Sequence, residues 1–465
     1  MSIKKIHVCV IDDGICGNEI NIYKNIQIRN DKVVDSFEVC KNNSHGTGCA
    51  KVIVKHAEKE ILISSVSILN RQFKGNIQSL CTAFAWCIEN DVDIINLSLG
   101  SVFFKDKGLL LDAVNRCAEN GIVIVGATSN EGYVTYPASF TNVLGVRAFE
   151  EKKIKGCIVR YDTNLGFGLL ETQGSEKIYV DGMERTTSWC NSIAAPQITA
   201  KIINVYERGI SPIAIRNMLG NKMLKINCFE IDWASKAYAQ NIHELVPEWC
   251  VCKIINKEME TSLEIEDTVI TQKADDIKEW LEAGKNIIYI GDEVIDYVSS
   301  DSYIWSKYNR IQQIYYNQIA KQGISEVPVI FIEGVCALKY IYGLEKMFRE
   351  KDYHVYSISH NILYELYGIT YIPTEITDAD RINNFIRNEL YYKQGDILLY
   401  DISGINEKSA EKNIQMTPDI IMDTTEKYVV ISSECGKRVV ADSIECIGEY
   451  IIELLEGEGR ENDEQ

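Results

Sequence analysis

Proline is scarce in this sequence, seven in 465 residues. That leaves little for a Pro-rich hinge, and no internal repeat or low-complexity linker stands in for one. No uninterrupted apolar run approaches the roughly 18 residues that span a bilayer. The opening MSIKKIHVCVIDDG is not expected to act as a secretory leader either, because its apolar stretch is only Val8 to Ile11 before charge returns at Asp12 and Asp13. No membrane partner is expected, and the protein is placed in the cytoplasm. Basic charge is also in short supply. Lys and Arg number 48 against 67 Asp and Glu, for a net charge of −19. Without a basic stripe to neutralise phosphates, nucleic acid is not an expected partner.

Cysteine, by contrast, is plentiful. The fifteen cysteines are odd in number and scattered through a long chain, unlike a small secreted disulfide scaffold. Cys81, Cys87 and Cys117 sit among apolar neighbours and read as small core residues. Cys250 and Cys252 form the tightest pair, but a C-x-C without a second pair or a nearby His does not make a zinc site. No metal and no cofactor is expected. Hydrophobic residues at 46% and charged residues at 25% are ordinary for a globular protein, and the length suggests about three domains.

The charge is uneven. Residues 1–220 hold 24 Lys and Arg against 23 Asp and Glu; residues 221–465 hold 24 against 44. At least two units with different surfaces are implied. The acidic half reads first as a solvated surface and, more sharply, as a field that draws basic peptides.

Strand-like and helix-like segments alternate in the first half. Residues 6–11 are an apolar run ending at Asp12; Ile77, Leu80, Cys81, Phe84 and Ile88 fall at helical spacing; 92–99 and 122–127 read as strands, with a helical face at Leu110, Ala113, Val114 and Cys117 between them. Such alternation predicts a mostly parallel sheet covered by helices on both faces, with functional groups at the carboxyl ends of the strands. Helices are expected over 201–221 and 211–219, the latter with Ser211 as N-cap. A second α/β run is expected from strand 327–334 through a helix near 336–351, strands 353–359, 396–403 and 428–433, and a helix near 441–455.

Four segments carry the candidate chemistry: VIDDG (10–14), SHGTGCA (44–50), GATSNEG (126–132) and CNSIAAPQITA (190–200). Each alone has a bland reading: a turn cap, a structural His, an Asn-Glu-Gly turn, a Ser N-cap. Their order, Asp, His, Asn, Ser, is that of a nucleophilic acyl-transfer site. With NLSLG (96–100) and YPASFTNVLGVRA (136–148), residues 1 to about 220–240 resemble a subtilisin-like serine protease. The resemblance implies a serine endopeptidase with Asp12, His45 and Ser192 as its triad. It implies an oxyanion hole from the Asn130 amide and the Ser192 N–H, and a substrate-binding edge at Ser98, Leu99 and Gly100, where the glycine would leave room for the peptide backbone. Pro196 is expected within the first turn of the helix that follows Ser192. Departures from the family pattern are Cys190-Asn191-Ser192 for the usual Gly-Thr-Ser, Ser129 for Gly in Gly-Asn-Glu, and Gly48 for the second His of His-Gly-Thr-His. None removes a triad member. They are compatible with narrow specificity, modest activity, or a pseudoprotease that binds peptides without cutting them. Cys190 is an alternative nucleophile on paper and reads better as a wall of the site. Secreted family members typically carry an N-terminal prodomain; with Asp12 in the first strand, none is expected here.

In the second half, VPVIFIEGVCALKY (327–340) has the strand–loop–helix layout of a P-loop, with Gly334 and Lys339 kept, the second Gly absent and Tyr340 in place of a hydroxyl ligand. It resembles a P-loop-type α/β domain whose nucleotide site is worn out, with Asp396 and Asp401 as a conceivable remnant of a magnesium-binding strand. The expected organisation is a subtilisin-like peptidase domain at 1–240, a connecting α/β segment at 241–325, a Rossmann- or P-loop-like α/β domain at 326–455 and an acidic tail at 456–465. The expected partner is a peptide or protein substrate, with a homo-oligomer through the C-terminal domain allowed. The combination resembles proteases of bacterial peptide maturation, which cut a leader from a precursor. An ATP- or GTP-dependent regulator is the remaining alternative.

Overall fold

The structure, a computed structural model, describes residues 5–462 apart from 18–19, 36–43, 71, 73, 104–105, 150–156, 163–165, 181, 220–227, 243, 256–267, 298, 300, 317–326, 406, 426–427, 434–435 and 441–442. The chain divides into two compact units. Met1–Ser235 and Tyr297–Ile304 make the first; Lys236–Asp296 and Trp305–Gln465 make the second.

The first unit is built on a nine-stranded sheet. Its strands are β1 (Ile6–Asp12), β2 (Ile22–Arg29), β3 (Lys32–Asp35), β4 (Ile61–Ser67), β5 (Ile94–Leu97), β6 (Val123–Ala127), β7 (Val143–Ala148), β8 (Ile158–Asp162) and β9 (Gly166–Thr172). They run in the order β3-β2-β4-β1-β5-β6-β7-β9-β8. Neighbours from β2 through β9 pair in parallel, and antiparallel strands close both edges. Every residue of β1 is buried, as a strand covered on both faces requires. Its alternate residues serve different layers. Val8 and Val10 join the core formed with α1 (His45–His56). Cys9 faces the other way, where its thiol meets Cys87 of α2 (Ile77–Glu89). Further helices are α3 (Lys107–Glu119), α4 (Asn191–Val205) and α5 (Pro212–Leu219). From α4, Ala194, Ala195, Ile198, Ile202 and Ile203 enter the same core as α1, each large aliphatic stabilising the fold by roughly 1.5–3 kcal/mol relative to exposure. A hairpin, β10 (Lys177–Val180) and β11 (Met183–Thr186), sets Ile178 and Val180 on Val52 of α1.

Two boundaries differ from expectation. The helix expected through 201–221 stops at Val205, the end of α4, while the second helix expected at 211–219 is present as α5 from Pro212, where Ser211 Oγ accepts Ala214 N–H at 3.2 Å. Pro196 lies in the second turn of α4, not the first. The amide it lacks would have bonded the Ser192 carbonyl four residues back. That carbonyl instead accepts the Ser98 hydroxyl at 3.0 Å, so the break in the helical ladder leaves no orphan.

Among its described residues the second unit holds two sheets, the first of which takes the initial residue of its last strand, Ile304, from the end of the first unit. The first comprises β12 (Lys236–Ala239), β13 (Lys253–Ile255), β14 (Thr268–Thr271), β15 (Asn286–Tyr289) and β16 (Ile304–Ser306), ordered β13-β12-β14-β15-β16. The second comprises β17 (Val329–Gly334), β18 (Val355–Ser359), β19 (Thr370–Tyr371), β20 (Ile397–Asp401), β21 (Ile420–Thr424), β22 (Val429–Ser433) and β23 (Gly436–Val440), ordered β19-β18-β20-β17-β21-β22-β23. Its first five strands are parallel and its last two antiparallel. In the P-loop-like segment Gly334 has φ +103°, and a Cβ there would stand 2.1 Å from Thr424 O, so close strand packing accounts for this glycine. Tyr340 is wholly buried in the core and Lys339 Nζ lies 5.1 Å from its ring centre. Asp401 ends β20, accepting from Ser359 Oγ at 2.7 Å and Ser403 N at 3.0 Å. Asp396 precedes the same strand and accepts His354 N–H, so the two carboxylates flank opposite ends. The final helix runs Ile444–Asn462, carrying helix into the segment expected as a tail. Among the described residues no helix is long and apolar enough to cross a membrane.

Candidate active site

The site lies in the first unit, at the carboxyl ends of β1, β5 and β6 and the start of α1 and α4. Asp12 closes β1 and is 2% exposed. Its Oδ1 accepts Asp13 N–H at 2.9 Å and its Oδ2 lies 2.8 Å from His45 Nδ1. His45 Nε2 lies 3.1 Å from Ser192 Oγ. Three residues separated by 33 and 147 positions thus form one continuous line of hydrogen bonds.

Local sequence explains each placement. Asp13 caps α1, its carboxylate accepting His45 N–H at 3.0 Å and Gly46 N–H at 2.8 Å. Ser44 accepts Thr47 N–H at 3.2 Å and donates to Gly14 O at 2.8 Å, tying the helix start to the turn after β1. Gly46 has to be small, because a Cβ would meet Gly14 O at 2.6 Å and Asp12 Cβ at 3.2 Å. Ser192 is the second residue of α4, where helix N–H groups have no internal partner and the dipole favours negative charge.

Cys49, one turn along α1 from His45, is buried behind the line. Its Sγ is 3.7 Å from His45 Nδ1, 3.9 Å from Asp12 Oδ2, 3.5 Å from Ser98 Oγ and 3.7 Å from Ser192 O. Cys49 and, with it, the Asp12 hydrogen bond and charge push His45 up, to about 12, while burial pulls it down. Burial pushes the Cys49 thiol up as well. At neutral pH that thiol keeps its proton, so the pull that remains on the imidazole is that of Asp12. Asp12, His45 and Cys49 offer donor atoms within 4.8 Å of one another, a group that could hold a metal ion. The Asp12–His45 pair is already joined at hydrogen-bond length, and a metal would have to displace that proton.

Asn130 is exposed, and its Oδ1 accepts Asn191 N–H at 2.9 Å. The amide oxygen therefore faces the start of α4. Cys190, standing where the family pattern has Gly, sets its Sγ 3.1 Å from Ser192 Oγ. Ser98, Leu99 and Gly100 follow β5. The Ser98 hydroxyl turns inward to Ser192 O, not outward. Gly100 is required by the protein's own backbone: a Cβ would meet Thr135 Cγ2 at 2.7 Å and Tyr136 O at 2.8 Å. The next residue, Ser101, pairs with Tyr136 in an antiparallel bridge. Sequence reasoning gave no role to Asp13 or Cys49 and took Asn191 only as a departure from the family pattern. The signals were present as the second Asp of VIDDG, the Cys four residues after His45, and the residue beside Ser192.

Residues 4–307 match the model of the Subtilase family of peptidases. The Minor extracellular protease Epr of Bacillus subtilis (strain 168) is 34% identical over 162 residues, covering 32% of this chain and 24% of that protein. A thermostable alkaline protease of Halalkalibacterium halodurans is 35% identical over 120 residues, covering 24% of this chain and 33% of its own length. The alignments therefore span about a quarter to a third of these curated relatives. The crystal structure of a lanthipeptide protease is 16% identical, with a TM-score of 0.37, over 46% of this chain and 78% of that one.

Proposed function

Because the chain belongs to the Subtilase family, we propose that it is a serine endopeptidase acting through Asp12, His45 and Ser192. The observation that carries the reading is the hydrogen-bonded line from Asp12 Oδ2 through both ring nitrogens of His45 to Ser192 Oγ, at 2.8 and 3.1 Å. A serine hydroxyl is a weak nucleophile without an adjacent base. His45 Nε2 takes its proton as Oγ attacks the scissile carbonyl. Asp12 accepts Nδ1–H, fixes the tautomer and stabilises the imidazolium. The negative charge that develops on the carbonyl oxygen is met by the Ser192 N–H and the Asn130 amide nitrogen. Collapse breaks the C–N bond, the imidazolium protonates the leaving amine, and water activated by His45 releases the acid from the acyl-enzyme. The extended peptide lies along residues 98–100 as an added strand.

The substrate is a precursor or leader peptide, a class suggested by the resemblance to peptide-maturation proteases, and the second unit selects it or mediates self-association. A cytoplasmic setting is supported by the cysteines, all of which are free among the described residues. The test is mass spectrometry of products from a peptide library incubated with wild type and Ser192→Ala. Cleavage by the wild type alone is expected. Intact peptides that nonetheless bind the wild type would replace this reading with a peptide-binding pseudoprotease, the role that the Cys190 thiol crowding Ser192 Oγ favours.

A further inference from the structure

The Asn191 side chain, 4% exposed, joins three parts of the first unit. Its Oδ1 accepts Ala148 N–H at 2.9 Å, at the end of β7. Its Nδ2 donates to Ser129 O at 2.9 Å, Thr128 O at 3.1 Å and Thr128 Oγ1 at 3.2 Å, just past β6. Its backbone N–H donates to Asn130 Oδ1 at 2.9 Å. Both ends of one planar amide are thus fixed, and the residues it grips directly precede Asn130. The threonine usual at this position in the family motif has a single hydroxyl on a shorter side chain. It cannot accept from Ala148 N–H and donate to the 128–129 carbonyls with the same reach.

We propose that Asn191 is a positioning residue for the oxyanion, acting through Asn130. It holds the 128–130 segment against the start of α4, so that the Asn130 amide nitrogen and the Ser192 N–H converge on one point. The inference rests on the protease reading above and adds to it a residue that touches neither substrate nor the reacting atoms. Oxyanion contacts strengthen as charge develops in the transition state, so loss of this registration falls on kcat and not on KM.

The experiment is a double-mutant cycle in the full chain with a cleaved library peptide, using Asn130→Ala, Asn191→Ala and the pair. Asn191→Ala is expected to lower kcat roughly 10- to 100-fold with KM nearly unchanged, and Asn130→Ala by on the order of 10²–10³. The pair should be no slower than Asn130→Ala alone, because a residue that acts through Asn130 has nothing left to position. Asn191→Thr, which keeps a polar side chain, should recover part of the loss and serves where Asn191→Ala is poorly folded by circular dichroism. Losses that multiply in the pair, or an Asn191 effect confined to KM, overturn the inference and leave the protease reading standing. A wild type that cleaves nothing overturns both.

Discussion

A base has to be unprotonated to accept a proton, and at the scale of single residues that sets the pH dependence. The hydrogen bond and charge of Asp12 hold His45 up against the pull of burial, so the imidazolium persists to higher pH than it would without Asp12 and activity is lost on the acidic side. The rising limb of kcat/KM against pH should follow the His45 titration. Asp12→Asn removes the charge that favours the imidazolium at neutral pH and should move the His45 titration down, as read by NMR of the ring. A midpoint unmoved by Asp12→Asn would mean that Asp12 does not hold this ring. The same scale shows what a sequence can display. Asp12, His45 and Ser192 stood out because each lies in a short motif whose neighbours serve it locally: a strand end, a Gly-rich helix start, a helix N-terminus. Cys49 did not, and Asn191 showed only as a departure from a motif, because no local pattern announces contacts that reach residues from 4 to 143 positions away.

At the scale of elements, the Ser98–Ser192–Pro196 arrangement couples β5 to α4. With Pro196 unable to donate, the Ser98 hydroxyl carries the hydrogen bond to the Ser192 carbonyl. Ser98→Ala should therefore destabilise the fold by about 1–2 kcal/mol, the cost of a part-buried carbonyl losing its main partner. Adding Pro196→Ala restores a helical N–H to that carbonyl and should recover most of the loss. Urea unfolding of the single and double variants measures both, and a double variant no more stable than Ser98→Ala would contradict the arrangement. Elements were legible where packing demanded mostly apolar runs, as in β1, β5 and β6. β4, ILISSVS, is as buried as they are in its last five residues, yet its serines hide it. They are spoken for: Ser64 Oγ lies 2.7 Å from His7 Nε2, and Ser65 Oγ accepts Ile15 N–H at 3.1 Å. Polar residues satisfied by distant partners do not look like a core strand.

For the molecule as a whole, the first unit does not end where the motif pattern ends. The chain leaves after Ser235 and returns for Tyr297–Ile304, where Tyr303 stacks on Trp233 with ring centres 5.2 Å apart. Beside them lies Asp232, buried, accepting Thr141 N–H at 3.1 Å and pushed up from 3.8 to about 6 by burial. The folded state therefore holds a proton on Asp232 up to about pH 6, while the unfolded chain gives it up near 3.8. Its contribution is fully present below 3.8 and is lost as pH rises through about 6, a change of roughly 2–3 kcal/mol. Asp232→Asn keeps an acceptor for Thr141 and removes this titration. Its melting temperature relative to wild type should be higher at pH 7.5 than at pH 4. An equal difference at both would contradict the burial argument. The return of residues 297–304 was invisible in the sequence, and of the five-stranded sheet in the second unit only β15 was legible, as the strand read at 286–292. Short strands of three or four residues carry too little pattern to declare their pairing.

The central claim is that Ser192 is a nucleophile activated by His45, and a fluorophosphonate probe read by intact-protein and peptide mass spectrometry tests it most directly. The wild type should gain one adduct, located on Ser192, and His45→Ala should lose it or slow it by orders of magnitude while remaining folded. A well-folded wild type that takes up no probe, or takes it up elsewhere, would contradict the account.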